Sequence, residues 1–180
     1  MSSIKNIKRP SKKNLKNLKM IAMDVDGVLT NGKIFLDQNG EEIKSFHAHD
    51  GLGIVLARKA GLKIAFISAR ESKALELRAK QLGVDALYQN RLEKLEAFED
   101  LLKTFNLDAS EVVYIGDDLV DIAILKRAGF PVTVPNAARE VRAYAAYVTK
   151  LSGGSGAVRE VIELVMKSQG AWQSQIQRYL

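Results

Sequence analysis

The sequence predicts an α/β fold: a Rossmann-like, three-layer domain with a parallel sheet between helices on both faces, a β-hairpin inserted after the first strand, and no separate cap domain. Three observations predict it. Short apolar runs recur along the chain, too continuous for strands that face water on one side. Amphipathic segments with helical periodicity separate them. Acidic and hydroxyl residues gather where the apolar runs stop, which is where open α/β sheets bind ligands.

Met20-Ile21-Ala22-Met23 reads as the first buried strand and delivers Asp24-Val25-Asp26-Gly27 at its end. Residues 33–37 and 42–47 are strand-like and joined by Gln38-Asn39-Gly40-Glu41, where Asn-Gly signals a hairpin spanning about 33–47. Residues 51–60 form a helix stopped by Gly61. Leu62 to Ile67 is a second strand, ending in Ser68-Ala69-Arg70, and 71–82 a helix closed by Gly83. Val84 to Tyr88 is a third strand. A helix over 91–105 places Leu92, Leu95, Phe98, Leu101 and Leu102 on one face and Lys94 in its first turn. Glu111 to Ile115 is a fourth strand, ending in Gly116-Asp117-Asp118 with Asp121 one turn on. A helix over 118–128, a fifth strand at Val132 to Val134, a Ser-Gly-Gly-Ser-Gly loop at 152–156 and a helix over 157–168 follow. A polar tail over 169–180 carries Trp172 and Tyr179, whose places the pattern leaves open.

Composition narrows the function. The chain has 180 residues and no cysteine, which removes disulfides, thiolate metal sites and cysteine nucleophiles and leans towards the cytoplasm. No apolar run approaches the ~20 residues that span a bilayer, and the basic N-terminus lacks the apolar core of a secretory signal. The net charge of +6 belongs to one end: residues 1–19 hold seven of the 27 basic residues and no acid, leaving 20 basic against 21 acidic residues elsewhere. Residues 1–18 are therefore expected as a basic, flexible tail before a domain at 19–168, with neither a nucleic-acid surface nor a membrane segment.

The strand ends supply the chemistry. Carboxylates that converge repel one another unless a cation lies between them, and hard oxygen ligands suit magnesium. A hydroxyl and an ammonium, Ser68 and Lys94, suit phosphoryl oxygens. A carboxylate two residues after a carboxylate nucleophile can protonate a leaving oxygen and then activate water. Each piece alone has a plain structural reading: Asp117 or Asp118 as a helix cap, Ser68 as a strand-end cap, Lys94 as surface. Their order and placement favour the chemical one.

Asp-Val-Asp-Gly-Val-Leu-Thr, Ile-Ser-Ala-Arg, Lys94 and Gly-Asp-Asp-Leu-Val-Asp resemble the four ordered motifs of the haloacid dehalogenase superfamily of phosphatases. The resemblance implies Asp24 as nucleophile and Asp26 as general acid and base. It implies Mg2+ held by Asp24, the Asp26 backbone carbonyl and Asp117, with Asp118 or Asp121 in support, and phosphate held by Ser68 and Lys94. Only 44 residues separate Asp24 from Ser68 and 26 separate Ser68 from Lys94, so neither gap holds a cap domain.

The Asp-Gly-Val-Leu-Thr-Asn-Gly stretch, the hairpin ending Lys44-Ser45-Phe46-His47-Ala48-His49-Asp50-Gly51-Leu52-Gly53-Ile54, and Gly153-Gly154-Ser155-Gly156-Ala157-Val158-Arg159-Glu160 resemble the 3-deoxy-D-manno-octulosonate 8-phosphate phosphatase subfamily. That implies a sugar phosphate substrate in lipopolysaccharide biosynthesis, a homotetramer, and a C-terminal tail that reaches a neighbour's site. Arg70 is the candidate for the substrate's carboxylate, with Thr30 and His49 as further substrate-binding candidates. Three departures stand out: Ala69 replaces the usual glycine, His49 occupies a position where arginine is frequent, and the lysine-rich stretch before Lys19 is longer than usual. His47 and His49, two apart, are expected on one side of a strand. The alternatives are a phosphatase for nine-carbon sugar acids or other sugar phosphates, a receiver-like signalling module and a non-catalytic copy. The receiver order is disfavoured, because here the Asp-x-Asp pair comes first and the Asp-Asp pair last.

Overall fold

A computed structural model describes residues 15–180. The first strand, β1 (Met20–Met23), is wholly buried and sits in the middle of a six-stranded sheet of order β5-β4-β1-β6-β7-β8. The others are β4 (Lys63–Ile67), β5 (Ala86–Tyr88), β6 (Val112–Ile115), β7 (Phe130–Thr133) and β8 (Tyr147–Val148). Every pairing is parallel. Strands buried on both faces need no alternation, and the runs MIAM and VVYI carry none.

The helices are α1 (Ala48–Lys59), α2 (Lys73–Leu82), α3 (Lys94–Phe105), the short α4 (Ile122–Leu125), α5 (Ala157–Ser168) and α6 (Trp172–Ile176). α1 packs against α2 and α5, and α3 against α4. The expected three-layer α/β class is the observed one. From β1 the chain runs outward through β4 to β5, then crosses back to β6 on β1's other side. That reversal puts the ends of β1 and β6 next to each other, at the switch point where such sheets bind ligands. The register Met23↔Ile115 sets Asp24 abreast of Gly116, and Asp24 N–H donates to the Ile115 carbonyl at 2.9 Å.

The inserted hairpin is β2 (Phe35–Leu36) paired antiparallel with β3 (Glu42–Ile43), shorter than the expected 33–47. Its turn is held by the Asp37 carboxylate, which accepts from the N–H groups of Asn39 and Glu41 at 2.8 Å each. Ile34, Phe35, Leu36 and Ile43 are exposed on it, at 48–63%.

Four expectations are corrected. His47 and His49 lie not on a strand but at the N-terminus of α1, His47 as its N-cap, with their rings edge-on at 5.0 Å. The helix expected from 91 starts at Lys94, so Leu92 is 71% exposed and takes no part in the core. The helix expected over 118–128 breaks into a 3₁₀ turn at Leu119–Asp121 and α4, because the carboxylates of Asp118 and Asp121 take backbone N–H groups and tighten the chain. β8 was not foreseen: two residues with no flanking apolar run carry little signal.

Of the segment expected as a tail over 1–18, residues 1–14 lie outside the described residues. Leu15 and Leu18 are buried against the core, and the Gln169 side chain donates to both their carbonyls. At the other end Trp172 is buried beneath the charged groups of Arg159 and Lys167, 4.8 and 5.4 Å from its ring centre, whereas Tyr179 is exposed.

Candidate active site

Three carboxylates from two strand ends converge. Asp24 follows β1, Asp117 follows β6, and Asp121 closes the 3₁₀ turn; one oxygen from each lies within 4.8 Å of the other two. Lys94, first residue of α3, joins them and is only 2% exposed. Its ammonium stands 2.7 Å from Asp24 Oδ1 and 2.8 Å from Asp121 Oδ1.

Asp121 is fully buried and fully used. Oδ1 also accepts from the Tyr114 hydroxyl at 2.7 Å, and Oδ2 accepts from the N–H groups of Asp117 and Asp118 at 3.0 and 3.1 Å. Asp117 differs: its Oδ1 is buried with no hydrogen-bond partner among the described residues. Asp118 stands outside the trio, exposed, its carboxylate capping Leu119 N–H.

Three carboxylates facing one ammonium leave the cluster short of positive charge. Burial, then the Asp121 charge, pushes Asp24 up to about 7 despite Lys94. Burial, with Asp24 and Asp121 beside it, pushes Asp117 up to about 8. Lys94 is held above its ordinary value: burial opposes its charge, but Asp24 and Asp121 outweigh it. Burial and the Asp121 charge hold the Tyr114 hydroxyl well above its ordinary range, so it is a donor. An unsatisfied buried carboxylate oxygen, an all-oxygen donor set and a deficit of positive charge fit a hard divalent cation such as magnesium.

The loop after β1 is built close against this cluster. Gly27 has φ +101°, in the left-handed region, and an added Cβ would sit 1.9 Å from Asp117 Oδ2. Thr30 is buried inside the same loop, its Oγ1 accepting from Gly27 and Gly32 N–H at 3.2 Å each. These two bonds let Thr30 shape the loop. Asn136 bridges outward: its Nδ2 donates to the Gly27 carbonyl at 2.9 Å and its Oδ1 accepts from Gly153 N–H at 2.8 Å. Gly153 lies so near that a Cβ there would meet the Gly27 carbonyl oxygen at 1.7 Å.

Ser68, buried at the end of β4, accepts from Arg70 N–H at 3.1 Å. Arg70 is partly exposed and reaches the Glu42 carboxylate at 3.3 Å. Asp26 does not join the trio with its side chain; its carboxylate is paired with Lys44, which also reaches Glu42 at 2.7 Å. His49 lies exposed on the first turn of α1.

Sequence reasoning gave no role to Tyr114, Asn136 or Glu42, and met Lys44 only as part of the motif that ends the hairpin. Tyr114 looks like one more apolar strand residue, Asn136 like a turn after Pro135, and the hairpin pair like solvated charges. Only the fold reveals what each touches.

Comparison with known proteins agrees with this geometry. The model of the haloacid dehalogenase-like hydrolase family matches residues 85–162. The 3-deoxy-D-manno-octulosonate 8-phosphate phosphatase of Escherichia coli is 42% identical over 154 residues, spanning 86% of this chain and 82% of that protein. The crystal structure of the Moraxella catarrhalis phosphatase of that name, in complex with magnesium, phosphate and KDO, is 39% identical, with a TM-score of 0.91, covering 94% of this chain and 97% of the other. The cobalt-bound Haemophilus influenzae counterpart is likewise 39% identical, with a TM-score of 0.84, covering 87% and 92%.

Proposed function

The chain belongs to the haloacid dehalogenase-like hydrolases, among the 3-deoxy-D-manno-octulosonate 8-phosphate phosphatases, and we propose that it hydrolyses that eight-carbon sugar acid phosphate to the free sugar acid and phosphate. The observation that carries this reading is the convergence of Asp24, Asp117 and Asp121 at the switch point of the sheet, with Lys94 between Asp24 and Asp121.

Asp24 is the nucleophile. Its carboxylate is oriented by Val25 N–H and by Lys94, and its oxygen attacks phosphorus while the ester bond to the sugar breaks. The electron pair of that bond goes to the leaving oxygen, which takes a proton from the Asp26 carboxyl. Asp26 then takes a proton from water as the water attacks phosphorus, freeing phosphate and restoring Asp24. Lys94 and Ser68 hold the phosphoryl oxygens, with Asp121 and Tyr114 fixing Lys94 from behind. Asp24, Asp117 and the Asp26 carbonyl would hold magnesium, which when bound offsets the charge between the carboxylates and the incoming phosphate. Arg70, whose side chain is 45% exposed beside Ser68, meets the substrate's carboxylate.

The site is open, since only the hairpin and α1 lie between β1 and β4. The apolar hairpin residues support a homotetramer in which hairpins cover neighbouring sites. No helix among the described residues is long and apolar enough to cross a membrane, and a cytoplasmic place suits a chain without cysteine.

The test is phosphate release from the eight-carbon substrate and from its nine-carbon relative, each with magnesium and with EDTA. Clear preference for the eight-carbon acid, lost in EDTA, is expected; preference for the nine-carbon acid would move the assignment to the other substrate.

A further inference from the structure

Resting on the reading above, in which Asp26 is the acid and Arg70 receives the substrate's carboxylate, we propose that Glu42 and Lys44 make that carboxylate a trigger for Asp26. Four side chains of alternating charge run from the catalytic loop to the mouth: Asp26, Lys44, Glu42, Arg70. Lys44 is shared between the carboxylates of Asp26 and Glu42, and Glu42 is shared between the cations of Lys44 and Arg70. A solvated surface pattern would leave these groups wet. Here the Lys44 side chain is 3% exposed, and only Arg70 lies open to solvent along much of its length.

The two ends differ in strength. Glu42 meets Arg70 through one nitrogen at 3.3 Å, at the wet end of the chain, where ion pairs hold weakly. A substrate carboxylate offers a guanidinium two oxygens at once and the stronger bidentate geometry. It displaces Glu42 from Arg70. The Glu42 charge is then left with Lys44 alone, and the ammonium, whose donors were divided between two acids, is drawn towards Glu42. Asp26 is released to face the leaving oxygen. A phosphate ester without a carboxylate leaves the chain closed and Asp26 held. Selectivity then resides in turnover, because contact energy from a remote part of the substrate is spent at the reacting centre. Glu42 lies in β3 and Lys44 just after it, so the hairpin is part of the catalytic apparatus as well as an assembly element.

The experiment compares kcat and KM of the magnesium-loaded, full-length enzyme on the eight-carbon sugar acid phosphate and on an aldose phosphate lacking a carboxylate. Wild type, Glu42→Gln and Lys44→Met are each measured. In wild type, kcat for the acid should exceed that for the aldose by about tenfold or more. In Glu42→Gln, an isosteric change, the ratio should fall to within about threefold, through a lower kcat on the acid with KM not raised. Lys44→Met should also collapse the ratio, because nothing then holds Asp26 against either substrate. Wild-type selectivity expressed in KM alone overturns the proposal. So does equal loss on both substrates in the variants, the mark of a merely structural role, or an unchanged ratio. If wild type shows no preference for the acid at all, the substrate assignment itself fails, whatever the variants do.

Discussion

Replacing Lys94 by methionine removes the ammonium that the buried carboxylates of Asp24 and Asp121 share while keeping most of the side-chain volume. Its nitrogen lies 2.7 Å from Asp24 and 2.8 Å from Asp121, with all three side chains no more than 7% exposed. Breaking a buried pair by deleting one partner costs about 3–5 kcal/mol, because the other charge stays buried and unpaired. At about 2–4 °C per kcal/mol for a chain of this size, the melting temperature in EDTA should drop by about 6–20 °C. The loss depends on pH, and its sign follows from Asp24. That carboxyl is pushed up to about 7 from an ordinary 3.8, so its contribution to stability is fully present below pH 3.8 and is lost as pH rises through about 7. Without Lys94 the penalty on the ionised form grows. The deficit should therefore be larger at about pH 8 than at about pH 5.5. Scanning calorimetry of both proteins at the two pH values measures it. A drop below about 2 °C at the higher pH, or the same deficit at both, would refute the electrostatic account of Lys94.

Other consequences follow from the same geometry. Asp24→Asn should lower phosphate release by about 10⁴-fold or more, since an amide is a poor nucleophile; normal turnover would remove the nucleophile assignment. Gly27→Ala places a Cβ 1.9 Å from Asp117 Oδ2 at φ +101° and should weaken magnesium binding in a calorimetric titration while costing about 1–3 kcal/mol of stability; unchanged metal affinity would show that the loop does not set the cluster. With Asp24 pushed up to about 7 and Asp117 to about 8, the metal-free protein should lose stability as pH rises from about 4 towards 8, and magnesium, which needs both ionised, should raise the melting temperature more at about pH 8 than at about pH 6. A magnesium effect independent of pH would contradict this.

The sheet was legible because strands buried on both faces must be apolar throughout, and runs such as Met20–Met23 and Val112–Ile115 have few other readings. The meeting of Asp24, Asp117, Asp121 and Lys94 was legible because strand ends and helix starts converge at the switch point of such a sheet. What escaped were features decided by contacts distant in sequence. α3 opens at Lys94 and not at 91 because that side chain is drawn inward to two acids, stranding Leu92 outside. His49 read as a strand residue until Asp50, whose carboxylate accepts Arg159 N–H at 2.7 Å, tied the start of α1 to that of α5. Lys44 and Asn136 carry ordinary signals for a hairpin and a turn. Their importance lies in Asp26 and Gly27, residues 18 and 109 positions away.

Covalent phosphate on Asp24 is the claim on which the proposed chemistry turns. Turnover of the eight-carbon substrate with magnesium, quenched in acid, reduced with borohydride and mapped by mass spectrometry, reads it directly. The modified peptide should be the one that carries Asp24, and it should be absent from Asp24→Asn. Modification of any other carboxylate, or rapid phosphate release with no modified peptide at any quench time, would contradict the account.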